Sequence, residues 1–145
     1  MNRSIVLVAL LASGLCAPSD PLTATVQAVA TQNARVGGPV DLVVSVTNTG
    51  PAISHLGLVF RTSDRWYERH EMTDLGGCSV VTDASAFDCG DLAPKETRTY
   101  SLRGIANIAG SYHFELALRE LVHPFNYVND HSDGADAQVW DETVR

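Results

Sequence analysis

Residues 110–119 read GSYHFELALR, and the period of this stretch decides the fold class. Tyr112, Phe114, Leu116 and Leu118 alternate with Ser111, His113, Glu115 and Arg119. A helix would spread these apolar side chains around its whole circumference, whereas a strand gathers them on one face. Working outward, Tyr100 and Leu102 alternate with Thr99, Ser101 and Arg103. Leu56, Leu58 and Phe60 alternate with His55, Gly57 and Val59, and Val40, Leu42, Val44 and Val46 share one side of their segment. Turn residues punctuate these runs at Gly37–Pro39, Asn48–Pro51, Leu75–Gly77 and Leu92–Glu96, where Gly supplies positive φ and Pro fixes φ. The pattern predicts strands near 22–30, 40–48, 53–61, 66–72, 78–82, 86–90, 97–104, 110–119 and 135–143, with no helix. So many short strands imply an all-β, two-sheet antiparallel sandwich.

Length and composition agree with one such domain. The 145 residues are 45% hydrophobic and 19% charged, too apolar and too weakly charged for a disordered chain. Ten basic residues against 17 acidic ones give a net charge of −7, which is no footprint for nucleic acid. The first residues, MNRSIVLVALLASGLCA, have the charged start, the apolar run (Ile5–Ala12) and the small-residue end of a secretory signal. The run is too short to span a bilayer, and no later stretch is long enough to do so. The expected organisation is a signal peptide over 1–16, a linker over 17–24 and the sandwich over 25–145. An alternative makes Cys16 the lipidated first residue of a lipoprotein, although Leu15 stands where a small residue is wanted.

Export places the remaining cysteines in an oxidising compartment, where pairing is the default. Cys78 and Cys89 are separated by ten residues, SVVTDASAFD, and a bend at Thr82–Ser85 brings them face to face at the open end of a hairpin. The competing roles are reactive or metal-bound cysteines, but neither a CxxC nor a zinc spacing is present.

Four stretches, GGPVDLVVSVTNTGPA, GGCSVV, FDCGDLAPKETRTYSL and AGSYHFELAL, are similar to the secreted bacterial immunoglobulin-like repeat known as the domain of unknown function eleven. A close relative of that repeat is CARDB, the cell-adhesion-related domain found in bacteria. NTGP at Asn48–Pro51 and CGDLAP at Cys89–Pro94 carry the resemblance most specifically. Lys95 stands where those repeats have Gly, and the segment SDRWYERHEM at Ser63–Met72 is richer in charge and aromatics than theirs. The resemblance implies an immunoglobulin-like sandwich outside the cytoplasm, used as a spacer or adhesive module. It carries over no catalytic residue and no cofactor.

The candidate sites follow from residue types. No nucleophile elbow, HExxH pair, phosphate-binding glycine loop or dinucleotide fingerprint occurs, so an enzyme is not expected. Trp66, Tyr67, Arg69 and His70 are the residue types that dominate interface hot spots. On a strand, alternation would put Trp66 and His70 on one side and Tyr67 and Arg69 on the other, one side facing the core. Trp140 is a second candidate for an exposed aromatic, opposite Val139 in its strand. His55 and His113 fall on the outward sets of their strands and would meet only if those strands are neighbours. Asn129, Asp130, Asp133 and Asp136 offer oxygens around a tight turn, a weak calcium pattern, since Trp140 stands where the twelfth-position Glu is wanted. The expected partner is a protein or envelope component, met through residues 63–72 or a sheet edge, and such an edge could also make a homodimer.

Overall fold

The computed structural model describes residues 22–122 and 137–145, together with the backbone of 126–130. The signal segment, residues 17–21 of the linker, the Cys16 lipidation site, the 131–136 part of the calcium pattern and the side chains of Asn129 and Asp130 lie outside the described residues, while Leu22 and Ala24, at the end of the expected linker, are buried in the core.

Eleven strands form the described chain: β1 (Ala24–Ala30), β2 (Asn33–Ala34), β3 (Pro39–Asn48), β4 (Leu56–Phe60), β5 (His70–Asp74), β6 (Ser79–Val81), β7 (Ala86–Asp88), β8 (Thr97–Ala106), β9 (Gly110–Val122), β10 (Asn126–Asp130) and β11 (Gln138–Val144). One helical turn, α1 (Trp66–Arg69), precedes β5, and a 3-10 turn (Thr82–Ala84) joins β6 to β7. The first sheet has the order β1-β3-β8-β5, and the second runs β2-β11-β9-β4-β7-β6 with β10 beside β9. These are the two sheets of an immunoglobulin-like sandwich, with β1, β3, β8 and β5 in the A, B, E and D places and β11, β9 and β4 in G, F and C.

The alternation read from sequence is the core. Val40, Leu42, Val44 and Val46 of β3 are fully buried, and they face Phe114, Leu116 and Leu118 of β9 within one cluster that also holds Leu56, Leu58, Tyr100 and Leu102. Every residue of β4 is buried, because its outer face is covered too. Val59 packs there with Ala84, Ala86 and Leu121. Gly57 permits that layer: a Cβ at this position would lie 2.7 Å from the Leu121 side chain.

The two motifs that carried the resemblance dock on one another. Asn48, 1% exposed, donates from Nδ2 to the carbonyls of Pro51 at 2.7 Å, Ala93 at 3.2 Å and Leu92 at 3.3 Å. Its Oδ1 accepts from Gly50 N–H at 2.9 Å, so one amide satisfies both turns. Lys95 adopts φ +64° in the second of these turns, a left-handed conformation that glycine takes without strain. The adjacent Glu96 carboxylate is held below the usual carboxylate range by the Ala93 N–H and then by the Arg98 guanidinium.

Two expectations need correction. Residues 66–72 do not form one strand, because α1 occupies 66–69 and the strand begins at His70. The segment has to carry the chain from the end of β4 in one sheet to the edge of the other, and a helical turn makes that crossing. The 53–61 strand shortens to 56–60, with Ile53 left in an isolated bridge to Leu92. The two-residue β2 and the five-residue β10 were not expected, and β2 is too short to show a period.

Candidate functional site

The 63–72 segment turns its aromatics inward. Main-chain hydrogen bonds from Glu68 and Arg69 to the Arg65 carbonyl close the turn of α1. Asp64 anchors the segment by accepting from Arg69 Nη2 at 2.9 Å and from His113 N–H at 3.0 Å. On a helical turn residues four apart share a face. Trp66 and His70 accordingly lie together in the core, 0% and 3% exposed, with ring centroids 4.7 Å apart. Tyr67 is half-buried, edge-on to Phe60 and Phe87, and Arg69 lies over the Tyr112 ring at 5.2 Å. The expected exposed recognition edge is therefore absent at Trp66 and His70. Their side chains cannot reach a partner.

Trp140 is corrected in the same way. The alternation along β11 is real but its faces are reversed, with Val139 57% exposed and Trp140 8%. Trp140 packs on Phe114 at 5.3 Å, and two residues on the same inward face delivers Glu142. The Glu142 carboxylate oxygen Oε1 lies 2.7 Å from His70 Nε2, and neither side chain has any exposure. His70 Nδ1 lies 2.8 Å from the Trp66 carbonyl oxygen. A group joining the edge strand of one sheet to β11 of the other thus crosses the interior. Sequence analysis gave Glu142 no role. Its i+2 spacing from Trp140 was the available signal.

The remaining histidines of the described chain sit on the surface in separate places. His55 Nδ1 lies 3.0 Å from Asp88 Oδ2, and His113 Nδ1 lies 2.7 Å from Asp141 Oδ1. The strands that follow and contain them are neighbours, yet the register sets the His55 carbonyl against Leu121 N–H, leaving His113 at the opposite end of β9. Cys78 and Cys89 form the expected disulfide, with Cα atoms 4.1 Å apart, at the base of the β6–β7 hairpin. Such a bridge stabilises by about 2–4 kcal/mol, chiefly through the unfolded chain.

The sheet edges are blunted. β2 has two residues and β6 three, β5 is interrupted by a bulge between Met72 and Asp74, and Ala28 N–H at the β1 edge donates to Gln138 Oε1 at 3.0 Å. No helix among the described residues is long and apolar enough to cross a membrane. An open cleft of about 430 Å³ lies where β2 runs parallel to the end of β11, lined by Asn33, Arg35, Thr143 and Arg145 above Ala34 and Pro39.

No protein-family model matches the sequence, and no curated protein matches it either. Among solved structures, the chain is similar to the solution structure of a CARDB domain from Pyrococcus furiosus, with 14% identity, 83% of this chain and 93% of that one covered, and a TM-score of 0.51. A crystal structure of the same CARDB domain, described as in complex with di-metal ions, gives 12% identity, coverage of 87% and 90%, and a TM-score of 0.49. Identity this low speaks for the fold alone, and the fold it supports is a CARDB-like immunoglobulin sandwich.

Proposed function

We propose that this chain is an exported, non-enzymatic immunoglobulin-like module that binds a protein or envelope component through its surface. The observation that carries this reading is the placement of His70 and Glu142. A histidine–carboxylate pair is the standard equipment of acid–base catalysis, but general catalysis needs reach to a substrate proton. Here the pair is sealed between two sheets and works as an internal strut. The cystine at Cys78 and Cys89 is the kind of bond that persists in oxidising compartments, which fits the secretory pattern of residues 1–16. The CARDB-like fold and the resemblance to secreted bacterial repeats favour an adhesion-type role.

A second reading, an envelope scaffold without a specific ligand, is favoured by the blunted sheet edges. The two separate in one experiment, in which the disulfide-intact chain is immobilised and challenged with fractionated envelope from the source cell. Saturable retention of one component, competed by free chain and lost when the chain is unfolded, is the expected result. Retention no stronger than that of an unrelated sandwich of equal charge leaves the scaffold reading. Turnover of any envelope substrate that His70→Ala or Glu142→Gln abolishes, in a variant still folded, overturns both.

A further inference from the structure

We propose that the cleft between β2 and the end of β11 is a binding site for a carboxylate ligand, held between Arg35 and Arg145. Four polar side chains line it, Asn33, Arg35, Thr143 and Arg145, and each can donate a hydrogen bond. No Asp or Glu among the described residues lines it. That is a notable exception in a chain with 17 acidic residues and a net charge of −7. Five other arginines are matched: Arg61 with Glu115, Arg65 with Glu68, Arg69 with Asp64, Arg98 with Glu96, and Arg103 with Asp41. Among the described residues, no ion pair engages Arg35 or Arg145.

The frame of the cleft is fixed before any ligand arrives. β2 and β11 pair in parallel through Thr143 with Asn33 and Val144 with Ala34. Arg145 N–H donates to the Ala34 carbonyl at 3.0 Å, and the Arg145 main-chain oxygen accepts from Val36 N–H at 2.9 Å. Gly38 N–H closes the following turn on the Arg35 carbonyl at 2.8 Å, and Gly37 N–H ties it to Ala106 at 2.7 Å. Both arginines therefore hang from a backbone locked by hydrogen bonds, so binding has only side chains to order. A guanidinium presents a planar fork that matches a carboxylate with two parallel hydrogen bonds, which selects that anion over a spherical one. The cleft is open to solvent, with a volume of about 430 Å³. Val36, 52% exposed on the adjoining turn, offers an apolar contact beside it.

This inference builds on the surface-binding reading above and gives that surface a chemistry. The probe is citrate, titrated into the full chain at low ionic strength, with amide shifts read residue by residue. Sulfate, inorganic phosphate and chloride form parallel arms. The expected result is saturable binding with shifts confined to residues 33–39 and 143–145, weakened by added salt. Arg35→Ala and Arg145→Ala should each reduce affinity about tenfold or more, while Arg35→Lys retains part of it. Arg103→Ala, whose guanidinium is matched to Asp41, should leave affinity unchanged. Both tested arginines hang outside the hydrophobic core, so the fold survives their loss, and an unaltered thermal midpoint checks this. Shifts spread over all cationic surfaces, unchanged affinity in the arginine variants, or tighter binding of phosphate or chloride than of citrate would each overturn the assignment. Envelope capture that persists in the Arg35→Ala, Arg145→Ala double variant removes this cleft while leaving the binding module intact.

Discussion

In the 66–70 segment a tryptophan that opens a helical turn and an ionisable residue just past its end lie four positions apart, while in β11 a tryptophan and an ionisable residue lie two positions apart on a strand. Both arrangements send both side chains inward, and the two ionisable groups meet as His70 and Glu142. The difference teaches that inward pointing belongs to the local period and not to the residue type. On β11 the strand period is inherited from pairing with β9 along seven residues. Around Trp66 the chain is between sheets, no neighbour imposes a period, and the helical turn is set by hydrogen bonds to the Arg65 carbonyl and by the anchor at Asp64.

The largest expected effect tests the point where the two arrangements meet. His70→Ala leaves the Glu142 carboxyl buried with its partner gone and should cost about 3–5 kcal/mol, read from denaturant midpoints. A His70→Leu, Glu142→Leu double variant should recover most of that loss. A double variant as unstable as the single one would mean that the pair contributes more than mutual compensation. Trp66→Ala should cost about 3–5 kcal/mol and at least as much as Trp140→Ala, because Trp66 is the more completely buried of the two.

Asn48→Ala, far from both segments, takes the donor from the Pro51 carbonyl and the acceptor from Gly50 N–H and should cost about 2 kcal/mol. It serves as the reference for a buried polar group that carries no charge. Lys95→Gly relieves a left-handed backbone and should raise stability by about 1 kcal/mol, visible as a higher thermal midpoint. The smallest effect belongs to α1. Glu68→Ala removes an exposed i,i+3 pair with Arg65 and should cost about 0.3–0.5 kcal/mol, which sharpens the claim that burial and not surface charge holds this turn.

The fold was legible wherever a strand has one wet and one dry face. β3, β8 and β9 read directly because alternation over many residues leaves only one possible core face. Lys95 was legible as a substitution, though its backbone conformation was not. The 66–70 segment was not legible, since four residues are too few to distinguish a helical period from a strand period. Glu142 was hidden for a different reason. Its burial depends on His70, 72 positions away, and nothing local to the DETV sequence announces a partner at that distance. The cleft needed the same long-range information, because Arg35 and Arg145 become neighbours only through the parallel pairing of β2 with β11.

That parallel pairing also governs how the molecule answers a pull. Tension applied at the two ends of the described chain first loads β1 against β3 and, once β1 has parted, draws β2 and β11 past each other along their own axes. The bonds from Thr143 to Gln32, Arg145 to Ala34 and Val36 to Arg145 are then strained together in shear, not peeled one at a time. A domain tethered at both sides would consequently yield late and abruptly under load.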